Sequence, residues 1–299
     1  MTWSRSRARL STVLPEYLNI ADHFLDQRVA EGRGGRVALR QARGDLTYAE
    51  VQVLANRFGR VLRDQGVRRE ERVLIALRDS PEFVAALFGT LKIGAVVVMI
   101  NPDLKPPNLA ALFDYSRAGA VVVESECLVA FEEAAALAQW RPRFLVVGGK
   151  EDRYPSFDAE AQTVSGDLET VRTHRDDPAI WLFSGGTTGT PKAVVQTHRS
   201  FANTTELYAK GALGYGESDI TLSVPKLFFG YATGSNLFFP FSVGASAVLF
   251  REHPTVEVLF EQIRRHRPTI LINVPTMVNK MVGHSGAGDQ DLSSNDFLF

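Results

Sequence analysis

Apolar runs that take turns with amphipathic helical stretches predict an α/β protein, built as two similar lobes of mostly parallel sheet covered by helices. Three observations carry this expectation. The runs 73–77, 95–100, 120–123 and 144–147 are continuously apolar, as strands covered on both faces are. Between them lie stretches with apolar residues at helical spacing and with boundary residues at their ends. A chain of 299 residues, 45% hydrophobic and 22% charged, can also bury one large core or two ordinary ones.

Taken in order, Thr47-Tyr48-Ala49-Glu50 has the form of a capping box, and Val51, Leu54, Ala55, Phe58, Val61 and Leu62 follow on one helical face until Gly66 offers a stop. Residues 73–77 read as a buried strand. Ser80-Pro81 supplies an N-cap and a first helical residue for a helix 82–92, and Gly94 separates it from the apolar run 95–100. The alternation continues with helix 109–116, strand 120–123, helix 128–139 and strand 144–147. Residues 149–177 are polar and mark the expected boundary, so the first lobe is placed at 21–177 and the second at 178–299. In the second lobe the spacing predicts strands at 179–183, 193–198, 221–224, 245–250 and 270–274, with helices at 200–210 and 256–266.

The segment Ser184-Gly185-Gly186-Thr187-Thr188-Gly189-Thr190-Pro191-Lys192 follows the apolar run 179–183 directly. Glycines let backbone N–H groups turn inward, hydroxyls add donors, and lysine adds positive charge, a combination suited to polyphosphate. A Gly/Thr-rich surface hairpin is the alternative that composition alone leaves open. The Walker loop is excluded, because Thr190 and Pro191 separate Gly189 from Lys192 and the continuation 193–198 reads as a strand rather than a helix.

Composition narrows the partners. With 33 basic and 34 acidic residues the formal net charge is −1, so no bulk field favours nucleic acid or an anionic membrane. The single cysteine, Cys127, forms no internal disulfide, sits beside Glu124 and Glu126, which disfavour a thiolate, and reads as structural; a reducing, cytoplasmic setting is expected. The Arg-rich start lacks the apolar segment of a targeting peptide, so residues 1–20 are expected to be a disordered terminus. The stretch 237–250 is broken by Pro240, Ser242, Gly244 and Ser246, and no membrane span is expected.

The order Ser-x-Gly-Thr-Thr-Gly-x-Pro-Lys resembles the nucleotide loop of the adenylate-forming superfamily. Leu46-Thr47-Tyr48-Ala49-Glu50, Leu91-Lys92-Ile93-Gly94-Ala95, Asn101-Pro102, Thr197-His198 and Val274-Pro275-Thr276 resemble further motifs of that family in the same order, covering most of the chain from about residue 46 onward. The segment Lys226-Leu227-Phe228-Phe229-Gly230-Tyr231 is similar to that of benzoate-type CoA ligases, whereas many fatty-acyl members carry a histidine near this place. The resemblance implies an ATP-dependent acid–thiol ligase for an aryl acid such as benzoate, with ATP, Mg2+ and coenzyme A as cofactor and co-substrates. It implies that Ser184, Gly185, Gly186, Thr187, Thr188, Gly189, Thr190 and Lys192 hold phosphates, and that Phe229, Gly230, Tyr231, Gly234 and Phe239 border the acid. Two readings stay open from the residues: Lys192 as a solvated loop lysine, and the aromatics as packing between sheet and helix. His198 is assigned no chemistry, no catalytic residue is named, and no metal ligand is named.

Two departures from the family pattern shape the expectations. Ala193 stands where the family has glycine, which removes positive-φ freedom and is expected to stiffen the loop. The sequence reaches Phe299 without the family's Tyr-Gly-x-Thr-Glu segment or its C-terminal domain with the adenylation lysine, so it reads as a truncated N-terminal domain. From that reading come the expectations of self-association through Phe297, Leu298 and Phe299 and, as the alternative function, a non-catalytic remnant that binds nucleotide, acid or a partner.

Overall fold

The structure is a computed structural model and describes residues 13–149, 153–184, 192–294 and 297–298. Among these residues run twelve strands: β1 (Val37–Arg40), β2 (Leu46–Thr47), β3 (Arg72–Ala76), β4 (Val96–Met99), β5 (Ala120–Glu124), β6 (Arg143–Val147), β7 (Pro178–Ser184), β8 (Lys192–Thr197), β9 (Ile220–Ser223), β10 (Ser246–Val248), β11 (Ile270–Ile272) and β12 (Phe297–Leu298). They form two six-stranded sheets, in the orders β6-β5-β3-β4-β7-β8 and β12-β11-β9-β10-β1-β2. In each sheet the first five strands are parallel and the last is an antiparallel edge. The α/β expectation of two similar, mostly parallel lobes holds.

The division between the lobes does not follow the chain. One unit takes in residues 24–49 and 201–299, the other residues 15–23 and 50–200. The boundary expected at 177/178 is therefore corrected, and the reason is strand pairing: β7 hydrogen-bonds to β4 through Val97↔Ile180 and Val98↔Trp181, and β1 to β10 through Leu39↔Ala247. The polar stretch read as a linker packs back on its own unit instead, with Val171 N donating to Lys92 O and Asn56 Nδ2 to Gly166 O. The expected disordered terminus is also corrected over its described part: Leu18 and Ile20 are buried, Leu18 N donates to Thr173 O, and Thr173 Oγ1 donates to Leu18 O.

In the unit of residues 15–23 and 50–200, Leu74, Ala76, Val98, Val121, Val123 and Val146 form one face of the sheet and pack with the helices Pro106–Ser116 and Leu128–Leu137 through Leu109, Phe113 and Phe131. The alternate positions Val73, Ile75, Val97 and Val122 are fully buried too, which explains the continuous apolar runs. Helix Tyr48–Asp64 buries Val51, Ala55, Phe58, Val61 and Leu62, and it ends where expected, with Gly66 at φ +82° and Val67 N donating to Leu62 O. Helix Pro81–Lys92 starts on Ser80, whose Oγ accepts from Phe83 N at 3.2 Å. These two helices approach through Gly59 and Gly89: a Cβ on Gly89 would lie 2.7 Å from both Ala55 O and Gly59 N.

In the unit of residues 24–49 and 201–299, Leu222, Val248 and Leu271 pack with Leu259, Phe260 and Ile263 of helix Val256–His266. Thr255 caps that helix by accepting from Val258 N at 3.3 Å. Ile270 and Ile272 of β11 turn to the other face, against Ala209, Tyr215 and Phe239.

Candidate active site

The two segments singled out by sequence both leave the carboxyl ends of parallel strands, the place where open α/β sheets bind ligands. Ser184 ends β7 and Lys192 opens β8, and the two residues face each other as Cα partners. The phosphate segment is thus the connection of an antiparallel hairpin. Gly185, Gly186, Thr187, Thr188, Gly189 and Thr190 lie outside the described residues. Lys192 is exposed at the start of β8, in keeping with a charge offered to a ligand or to solvent. Ala193 lies in the strand opposite Phe183, outside the positive-φ positions, so alanine costs no backbone strain there.

His198 follows β8 and is buried, with Nδ1 accepting from Ile20 N at 3.2 Å. Burial, reinforced by Arg69 and opposed by Asp177, pushes its pKa down to about 4. It is a neutral hydrogen-bond acceptor within the fold.

At the carboxyl ends of β3, β4 and β5, Arg78 gathers three carboxylates. Its backbone N donates to Glu124 Oε1 at 2.7 Å, Nη1 to Glu124 Oε2 at 2.6 Å and Glu126 Oε2 at 3.2 Å, and Nη2 to Asp103 Oδ1 at 2.7 Å. Cys127 Sγ lies 3.8 Å from Nη1, and burial above all raises its thiol pKa, with Arg78 working the other way. The thiol stays protonated chiefly because it is desolvated rather than because of its acidic neighbours.

The proposed acid-bordering residues lie just beyond β9. Lys226 Nζ donates to Phe250 O at 2.6 Å and stands 3.3 Å from the centroid of the Phe250 ring, which ties this segment to the end of β10. Phe229 and Tyr231 are exposed, at 53% and 46%, whereas Phe239 is buried. A Cβ on Gly234 would meet Phe239 at 3.5 Å and Phe201 at 3.8 Å, so of the proposed set Gly234 and Phe239 lie together. Tyr208 and Tyr215 stand edge-on to Phe239, at 6.2 and 5.7 Å between ring centroids. Partial burial raises the Tyr231 pKa, and Tyr208 adds to the rise. Phe229 packs instead on Phe228, at 4.5 Å.

Phe201, Tyr208 and Tyr215 escaped the sequence reading. Their spacing of seven residues gave no usable signal, because the helical run widens to a π-helix over Thr205–Leu213 and ends at Gly214, at φ +70°, before Tyr215.

Comparison with known proteins bears on the chain as a whole. A family model described as AMP-binding enzyme matches residues 26–299. Benzoate–CoA ligase of Thauera aromatica is 36% identical over 91% of this chain and 51% of its own length, and 4-hydroxybenzoate–CoA/benzoate–CoA ligase of Rhodopseudomonas palustris is 35% identical over 88% and 49%. Among solved structures, the anthranilate CoA ligase AuaEII in complex with anthranoyl-AMP matches with a TM-score of 0.91 and 34% identity, over 94% of this chain and 54% of that one. A benzoate CoA ligase from Burkholderia xenovorans matches at 0.82 and 33%, over 90% and 53%. The chain spans about half the length of the curated relatives it matches. A Gly/Thr hairpin at the carboxyl end of a parallel sheet, set in a fold and sequence shared with these ligases, identifies the chain as a member of the AMP-binding enzyme family.

Proposed function

We propose that this chain provides the nucleotide- and acid-binding part of an ATP-dependent acid–thiol ligase for an aryl carboxylic acid such as benzoate. The observation that carries the reading is the antiparallel closure of β7 and β8 around the Gly/Thr segment at the carboxyl edge of a parallel sheet. In the reaction, a carboxylate oxygen bonds to the α-phosphorus of ATP and pyrophosphate leaves. A thiol, that of coenzyme A, then adds to the acyl carbonyl and AMP leaves.

Within that scheme the backbone N–H groups of Gly185, Gly186 and Gly189 and the hydroxyls of Ser184, Thr187, Thr188 and Thr190 hold phosphate oxygens, and Lys192 offsets their charge. Tyr231, Gly234 and Phe239, joined by Tyr208, supply a flat apolar border for an aromatic ring, with Phe229 and Gly230 at its exposed margin. Mg2+ arrives on the ATP phosphates in this reading. Among the described residues no group of three or more His, Cys, Asp or Glu side chains is arranged to hold an ion, and no ligand is assigned to it. No helix among the described residues is long and apolar enough to cross a membrane. We place the protein in the cytoplasm on the strength of its one cysteine, held as a half-buried thiol.

Calorimetry on residues 1–299 tests the reading, with Mg-ATP, benzoate and a medium-chain fatty acid as titrants. Binding of ATP and of benzoate in preference to the fatty acid is expected, and Gly230→Leu is expected to abolish benzoate binding while ATP binding persists. A chain that binds no nucleotide refutes the reading, and equal benzoate affinity in Gly230→Leu and parent removes this segment from the acid site.

A further inference from the structure

Tyr115 has no place in the apolar stripe of its own helix. Helix Pro106–Ser116 packs Leu109, Leu112, Phe113 and Ser116 inward, and Tyr115 is left 50% exposed. Its contacts run instead to the two legs of the β7–β8 hairpin. The ring stands edge-on to Trp181 at 6.4 Å and to Phe183 at 5.9 Å, two residues that share one face of β7. The hydroxyl oxygen accepts from Ala193 N at 3.4 Å. Phe183 and Ala193 are Cα partners, and each adjoins an end of the Gly/Thr segment, Ser184 on one leg and Lys192 on the other.

We propose that Tyr115 is a positioning residue for the nucleotide loop, fixing the separation and register of its two legs at Phe183 and Ala193 so that the donors between them are aimed at phosphate. This rests on the nucleotide reading above. The physical need is plain in the sequence between the legs, because a segment rich in glycine loses more conformational freedom on ordering than any other. Donors aimed at phosphate stabilise it best when their placement is settled before binding. A ring against one leg and a hydroxyl on the other set the separation and register of the loop's ends. The residue that carries this comes from a helix about 70 positions earlier in the chain.

The test uses Tyr115→Phe, which keeps the ring and removes the hydroxyl, and Tyr115→Leu, which removes both contacts. Mg-ATP and benzoate are titrated calorimetrically into residues 1–299 of the parent and of each variant, and residue-resolved amide exchange is followed at Ala193. ATP affinity is expected to fall about 3-fold in Tyr115→Phe and about 10-fold in Tyr115→Leu. Ala193 should exchange faster in both, while the benzoate affinity and the melting temperature stay near the parent's. A merely structural tyrosine would weaken benzoate and ATP binding together, and that pattern overturns the proposal. Parent-like ATP affinity in both variants overturns it as well, whatever Ala193 does. If the parent itself binds no ATP, the nucleotide reading falls first and this inference with it.

Discussion

Lowering the pH should destabilise this protein through His198, and the size of the effect follows from its surroundings. His198 is 2% exposed, and burial lowers its pKa from 6.5 to about 4. In the unfolded chain the imidazole takes up a proton near pH 6.5, whereas in the folded chain it stays neutral until about pH 4. Between those values the unfolded state binds more protons, so stability falls as pH drops and the stabilising contribution is complete only above about pH 6.5. Linkage gives a loss of about 2 kcal/mol between about pH 8 and pH 5 from this one residue. Urea unfolding of parent and His198→Gln at several pH values in that window is the measurement. Carboxylates contribute to both proteins and cancel in the difference, so the parent should lose about 2 kcal/mol more than the variant on going from pH 8 to pH 5. Identical pH slopes would show that His198 is not held neutral by burial and would refute the reasoning.

Other outcomes are expected on the same grounds. On the proposed nucleotide reading, Thr188→Val and Lys192→Ala should each weaken Mg-ATP binding by about 1.5–3 kcal/mol, roughly 10- to 100-fold, by removing a contact to charged oxygen; unchanged calorimetric affinity in both takes the hairpin out of the site. Gly89→Ala should destabilise by about 1–3 kcal/mol in denaturant unfolding, because its methyl would press on the backbone of helix Tyr48–Asp64 at 2.7 Å. A stability equal to the parent's would mean that the helices separate freely. Arg78→Met should cost about 3 kcal/mol by leaving the Glu124 carboxylate, 4% exposed, without its guanidinium partner, and Arg78→Met/Glu124→Gln should recover part of that loss. Additive losses in the double variant would show that the two side chains are not coupled.

Much of the fold was legible because local chemistry and burial agree. Ser80-Pro81 before an apolar stretch starts a helix in any context, and Gly66 and Gly94 end helices because both sit at positive φ, at +82° and +73°. The apolar runs at β3, β4 and β5 could be read as strands covered on both faces because every second residue is as apolar as its neighbours. The Gly/Thr segment stood out by its residue types, and its family motif suggested a phosphate loop where composition alone left a surface hairpin open. Its place as a hairpin at the carboxyl end of β7 came from the strand pairing.

The sequence by itself determined what is local: the alternation of elements, their caps and stops, the Gly/Thr composition of residues 184–192, and membership of a family whose motifs recur in order along the chain. Tertiary structure alone decided which strands become neighbours. Hydrogen-bond pairing between strands far apart in sequence carries no local signature, so β7 and β8 joined the sheet of the preceding strands, β1 and β2 joined that of β9 to β12, and a boundary drawn at a polar stretch missed both. The same reason hid Tyr115, Tyr208 and Arg78. Each looks like an ordinary surface residue in its local sequence, and each makes its contacts with groups roughly 20 to 80 positions away that only packing brings within reach.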